Sequence, residues 1–124
     1  MIKGIGNDII EISRIKKAIE RPRFMEKHYT INEIALYQSR NNNIEILAGN
    51  FAVKESVSKV FGTGVRGFSL KDIEVLRDEL GKPYVLLFNE AKMIAEVAQI
   101  EQIFVSIAHS EKYVVGFAVG EGAM

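Results

Sequence analysis

The chain has no cysteine, no tryptophan, only two prolines in 124 residues, and no formal net charge. Without cysteine there is no disulfide framework, no thiolate metal site and no thiol nucleophile. Sixteen basic residues balanced by sixteen acidic ones leave no charge surplus for a general nucleic-acid binder. No apolar run approaches the ~20 residues that a membrane span needs, and the N-terminus lacks a signal-peptide pattern. No membrane association is expected, and the expected location is the cytoplasm. Repeats, low-complexity tracts and linkers are missing as well, so residues 1–124 read as a single domain. Some motifs are absent too. There is no Gly-x-Ser-x-Gly elbow for a Ser-His-Asp hydrolase. Gly4 and Gly6 have no third glycine at dinucleotide-binding spacing, and Gly62-Thr-Gly64 lacks the Gly-Lys-Ser/Thr ending of a phosphate loop of the Walker type.

What is present is ordinary globular material, 48% hydrophobic and 26% charged. Residues 2–10 read as a strand broken by Gly4 and Gly6, where another backbone can come close. Ser13 is the expected cap of a short helix ending before Pro22, with Ile15, Ala18 and Ile19 inward. Thr30-Ile-Asn-Glu33 is a capping-box pattern for a helix through about Ser39. Asn43 can cap the long helix that follows. Past Gly67 the period changes to two, and a turn around Gly81-Lys-Pro83 gives a hairpin. Asn89 should cap a helix with Met93, Ile94, Val97 and Ala98 on one face. Two closing strands are expected, near Gln102–His109 and residues 113–119. Antiparallel pairs with helices between them make an α+β domain, a small antiparallel sheet packed with helices around one long buried helix. So small a sheet leaves edges that an oligomer would cover.

The segment Phe51-Ala-Val-Lys-Glu-Ser-Val-Ser-Lys-Val-Phe-Gly-Thr-Gly64 carries most of the chemistry. Val53, Val57, Val60 and Phe61 make one apolar stripe, while Ala48, Phe51 and Ala52 make another on the opposite side. Glu55 and Lys59 fall on this second side, one turn apart. One possibility is a structural i,i+4 pair. The other is a metal–phosphate site, since bare backbone at Gly62, Thr63 and Gly64 could approach a phosphate. Asp8, just past the two strand glycines, could join Glu55 around Mg²⁺, which takes one or two carboxylates and fills its octahedron with phosphate oxygens and water. His109, at the end of an apolar strand, is a better anion contact than His28, expected in an exposed polar segment. From Ser13 to Arg23, five basic residues stand against Glu20 alone. That run is either a solvated helix face or a docking surface for an acidic partner. Two functions fit these features on their own: a non-catalytic module for an acidic helical partner, or an Mg²⁺-dependent enzyme acting on a nucleotide.

In order and spacing, three blocks resemble one family. They are Gly4-Ile-Gly-Asn-Asp-Ile-Ile-Glu-Ile-Ser-Arg-Ile15, the 51–64 segment and Val105-Ser-Ile-Ala-His-Ser110, with Gly81-Lys-Pro83 as a weaker fourth. The chain is similar over its whole length to the holo-acyl-carrier-protein synthases, small 4′-phosphopantetheinyl transferases. The resemblance implies transfer of the phosphopantetheine arm of coenzyme A to a serine of apo acyl carrier protein, for fatty acid biosynthesis, with release of adenosine 3′,5′-bisphosphate. It implies Mg²⁺ held by Asp8 and Glu55, with Lys59 stabilising the phosphate. Glu55 could also help deprotonate the serine, directly or through a water. Gly62, Thr63, Gly64, His109 and Arg40 become coenzyme A contacts, and Arg14, Lys17 and Arg21 a docking surface for the acidic carrier. The implied assembly is a homotrimer with active sites at subunit interfaces. Asn50 and Asn41-Asn42-Asn43 depart from the family, which usually has basic residues there. Coenzyme A affinity is then either lower or borne by Arg40 and Lys54, with roughly 1.5–3 kcal/mol at stake per charged hydrogen bond.

Overall fold

The computed structural model describes residues 1–63 and 66–124. Strand β1 (Ile2–Glu11) runs straight into helix α1 (Ile12–Ala18), followed by α2 (Phe24–His28), α3 (Ile31–Ser39) and the long α4 (Ile44–Val60). A 3₁₀ turn (Leu70–Asp72) leads into the hairpin β2 (Ile73–Arg77) and β3 (Pro83–Leu87), then α5 (Asn89–Val97), β4 (Gln102–His109) and β5 (Tyr113–Glu121). Three strands form an antiparallel sheet in the order β1-β5-β4, and β2 pairs with β3 in a separate antiparallel hairpin. The α+β class and the order of elements are as expected from the sequence.

Helix α4 lies across the three-stranded sheet, and glycine lets it lie close. A Cβ at Gly6 would stand 2.0 Å from the Ser56 carbonyl oxygen, and one at Gly116 would stand 2.6 Å from the Ala52 carbonyl carbon. Gly4, whose Cβ would stand 2.5 Å from the Val60 carbonyl oxygen, and Gly6 are thus a point of close backbone approach as expected, and with Gly116 they seat this helix. Its own buried serines are satisfied locally, Ser56 Oγ donating to the Ala52 carbonyl at 2.7 Å and Ser58 Oγ to that of Glu55 at 2.6 Å. Two of the four caps read from the sequence form. Thr30 and Glu33 make the reciprocal capping box of α3, and the Asn43 side chain accepts from the Glu45 N–H at 3.0 Å.

Four local expectations are corrected. Glu11, not Ser13, precedes α1, because β1 leaves no gap before the helix and the Ile12 N–H bonds the Lys112 carbonyl. Phe88, not Asn89, is the cap position of α5. Of the expected inward face of α5, Met93 is 58% and Val97 86% exposed. The helix instead packs through Ala91 and Ala95, with Ile94 beside them, because small side chains allow a tighter seat on the core. His28 is half-buried on α2, its ring 4.5 Å from that of Phe24 and 5.9 Å from that of Phe51.

One face of the three-stranded sheet is covered by α4. The other presents Ile5, Ile9, Phe104, Val115 and Phe117, each between 37% and 64% exposed. Ile9 lies opposite Val115 in the β1–β5 register, and Phe104 is opposite Val119 in β4–β5, so these side chains share one face.

Candidate active site

Asp8 is on the covered face of β1, opposite Gly116, and points toward the C-terminal half of α4. There it meets Lys59, whose Nζ lies 3.6 Å from Asp8 Oδ1 and donates to the Asn7 carbonyl at 2.6 Å. Glu55 is one turn back on α4 and half-buried. Among the described residues Lys59 pairs with Asp8 rather than with Glu55, so the i,i+4 structural pair does not form. Burial raises the pKa of Asp8, against the opposing pull of Lys59. Burial also raises that of Glu55; the charge of Asp8 adds to the rise, while Lys59 and Arg14 oppose it. Asp8 is thus near enough to Glu55 to disfavour its charge, with Lys59 and Arg14 as the opposing cations. That is the environment in which a divalent cation is favoured.

No group of three or more His, Cys, Asp or Glu able to hold a metal occurs among the described residues. The donor set here is two carboxylates alone. It fits Mg²⁺, which needs only one or two and takes its other ligands from phosphate and water, better than metals that require a full protein cage.

Gly62 follows directly on α4 with φ +80°, a left-handed conformation that suits glycine, and its N–H bonds the Lys59 carbonyl at 3.0 Å. Thr63 comes next, and Gly64 lies outside the described residues. Arg14 on α1 is near enough for its charge to act on both Asp8 and Glu55. Together with Lys17, Ala18 and Arg21 it lines a shallow hollow of about 410 Å³. Arg21 also stacks over the Phe24 ring, 5.2 Å from its centroid.

His109 and Arg40 come together at a different place. They line a hollow of about 270 Å³ with Asn43, Glu45, Ile46, Arg77, Gly81, Pro83 and Ile107. Glu45 lies 3.7 Å from His109 Nδ1. The hollow is at the N-terminal end of α4. Glu45 and Glu55 are ten residues apart on that helix, so the two clusters are about 15 Å apart along its axis. Within one chain they do not form one pocket.

Lys54 is not available to a ligand. It is wholly buried, with Nζ 2.7 Å from Glu33 Oε1, 3.0 Å from the Leu70 carbonyl oxygen and also bonded to the Ile73 carbonyl. Asn50 is buried in the same network and donates to Glu33 Oε2 and the Val75 carbonyl, both at 2.9 Å. Sequence reasoning missed both this network and Arg77. The signal for Arg77 was its pairing, across the hairpin, with Pro83 of the Gly81-Lys-Pro83 turn.

Residues 4–118 match the family model for the 4′-phosphopantetheinyl transferase superfamily. The chain belongs to the 4′-phosphopantetheinyl transferase superfamily. It is 51% identical to the holo-[acyl-carrier-protein] synthase of Alkaliphilus oremlandii, over 96% of this chain and 98% of that protein. It also resembles the crystal structure of the Plasmodium yoelii holo-ACP-synthase, with TM-score 0.87 and 32% identity over 100% of this chain and 98% of that one. A third match is the Bacillus anthracis synthase in complex with CoA (3′,5′-ADP), with TM-score 0.82 and 37% identity over 99% of both chains. The protein is an enzyme, a phosphopantetheinyl transferase. No helix among the described residues is long and apolar enough to cross a membrane.

Proposed function

We propose that this transferase, acting as one domain over residues 1–124, moves the 4′-phosphopantetheine arm of coenzyme A onto a serine of apo acyl carrier protein. The reaction depends on Mg²⁺, releases adenosine 3′,5′-bisphosphate and serves fatty acid biosynthesis in the cytoplasm. The observation that carries this is the meeting of Asp8, Glu55 and Lys59 where β1 passes under α4. Asp8 and Glu55 would hold the metal, which when bound neutralises charge on the pyrophosphate during phosphoryl transfer. Lys59, half exposed, would turn from Asp8 and the Asn7 carbonyl toward a phosphate oxygen. The serine hydroxyl forms a bond to the β-phosphorus, and the bond from that phosphorus to the bridging oxygen breaks. The bridging oxygen and its electron pair leave with adenosine 3′,5′-bisphosphate. Glu55, its pKa raised by burial and by Asp8, is the group suited to take the serine proton, directly or through a water.

The basic hollow of Arg14, Lys17 and Arg21 suits an acidic carrier protein, and the action of the Arg14 charge on both carboxylates supports docking beside the chemistry. The second hollow, with Arg40 and His109, is the proposed nucleotide subsite. The 3′-phosphate and 5′-pyrophosphate of coenzyme A hang on one ribose and cannot reach both clusters of the same chain. A second copy therefore supplies the nucleotide subsite, and the active site lies between subunits. The apolar outer face of the sheet supports such an assembly, because monomers rarely expose a contiguous patch of this kind. A homotrimer is the form the family resemblance implies.

The test is turnover by Asp8→Asn and Glu55→Gln, followed as conversion of apo to holo carrier protein. Both variants should fold and fall to background. Full activity in both would refute the metal site.

A further inference from the structure

Arg77 ends β2 with its guanidinium in the hollow that also holds Arg40 and His109. It is half-buried and passes over α4 at Gly49, where an added Cβ would stand 3.7 Å from Nη2. Its one hydrogen bond among the described residues runs from Nη1 to the Leu76 carbonyl at 3.3 Å, long and local. No carboxylate among the described residues is within ion-pair distance of it. Burial lowers its pKa; buried Glu33 opposes this, and the like charge of Arg40 adds to it. Two guanidinium groups therefore converge on one small hollow in which the single carboxylate, Glu45, lies beside His109. A half-buried, planar, five-donor cation without an acidic partner is set to take an anion in a bidentate grip.

Two nearby polar groups on α4 are already bonded. Lys54 is sealed against Glu33, and Asn50 spends its amide on Glu33 and Val75. Arg40 and Arg77 are the two guanidinium groups that line this hollow. On the transferase assignment, on which this step rests, the pyrophosphate is engaged at Asp8, Glu55 and Lys59. The phosphate left over is the one that takes no part in the reaction.

We propose that Arg77, together with Arg40, grips the ribose 3′-phosphate of the donor and is thereby a specificity residue that distinguishes coenzyme A from its 3′-dephospho form.

Calorimetric titration of the full-length protein with adenosine 3′,5′-bisphosphate and with AMP separates this from a structural role. The wild type should bind the bisphosphate roughly tenfold or more tightly than AMP, the scale of one charge-assisted bond. Arg77→Gln should lose that preference by weakening the bisphosphate alone, and Arg77→Lys should recover part of it. In turnover, Arg77→Gln should raise KM for coenzyme A but not for dephospho-coenzyme A. An equal loss for both ligands, no loss for either, or a wild type without the preference would overturn the proposal. Absence of any arm transfer by the wild type would instead sink the transferase assignment, while the calorimetric preference still decides the role of Arg77.

Discussion

Replacing Lys54 by methionine keeps much of the side-chain volume and removes the charge, leaving the Glu33 carboxylate wholly buried without its counter-ion. It also strips a donor from the Leu70 and Ile73 carbonyls. Breaking a buried pair from one side typically costs about 3–5 kcal/mol, which for a domain of this size lowers Tm by roughly 10–20 °C. The pH dependence gives a sharper check. In the wild type, burial already raises the pKa of Glu33 and lowers that of Lys54, each opposed by the partner's charge. Without Lys54, Glu33 stays protonated in the folded state above its unfolded pKa of about 4.3. The folded state then binds one more proton than the unfolded chain, so stability falls by about 1.4 kcal/mol for each pH unit of rise up to the folded pKa. The deficit of Lys54→Met should therefore shrink on acidification. Glu33→Leu should do the reverse. Lys54 is then neutral when folded, the unfolded chain binds the extra proton, and the deficit shrinks as pH rises. Urea melts at pH 5, 7 and 9 measure both slopes. A Lys54→Met loss below about 1 kcal/mol, or parallel pH profiles for the two variants, would refute the buried ion pair.

Other outcomes follow from the same geometry. Arg14→Glu should raise KM for carrier protein severalfold with little change in that for coenzyme A, as steady-state kinetics with each substrate varied will show; equal effects would contradict docking through α1. Gly116→Ala drives a Cβ to 2.6 Å from the Ala52 carbonyl carbon and should destabilise by about 1–3 kcal/mol or more in chemical melts, the usual range for overpacking. Because burial raises the pKa of both Asp8 and Glu55, protonation would compete with the proposed metal at a less acid pH than ordinary carboxylates would allow. Activity should fall on mild acidification, and added Mg²⁺ should shift that fall to lower pH.

Much of the fold was legible because its signals are local. Capping patterns at Thr30–Glu33 and Asn43, a change of period after Gly67 and turn residues at Gly81 each depend on a few neighbours. Other features depended on partners far away in the chain. Glu33 reads as a capping residue, yet its shortest bonds come from Lys54 and Asn50, and nothing in its own neighbourhood reports that. On α5, two i,i+4 stripes compete, Met93–Val97 and Ala91–Ala95. The larger side chains win on hydrophobicity, but the smaller pair packs because the core leaves room for a close helix. Spacing put Glu55 and Lys59 together on one helix. It could not show that Lys59 would reach across to Asp8, since that contact depends on two glycines letting α4 settle onto β1.

The most direct test is intact mass spectrometry of an apo acyl carrier protein incubated with this enzyme, coenzyme A and Mg²⁺, beside a sample containing a chelator. The carrier should gain one phosphopantetheinyl arm, and the gain should disappear with the chelator. An unchanged carrier mass with folded enzyme, across several carriers, would contradict the transferase assignment, and a gain that survives the chelator would remove the metal from Asp8 and Glu55.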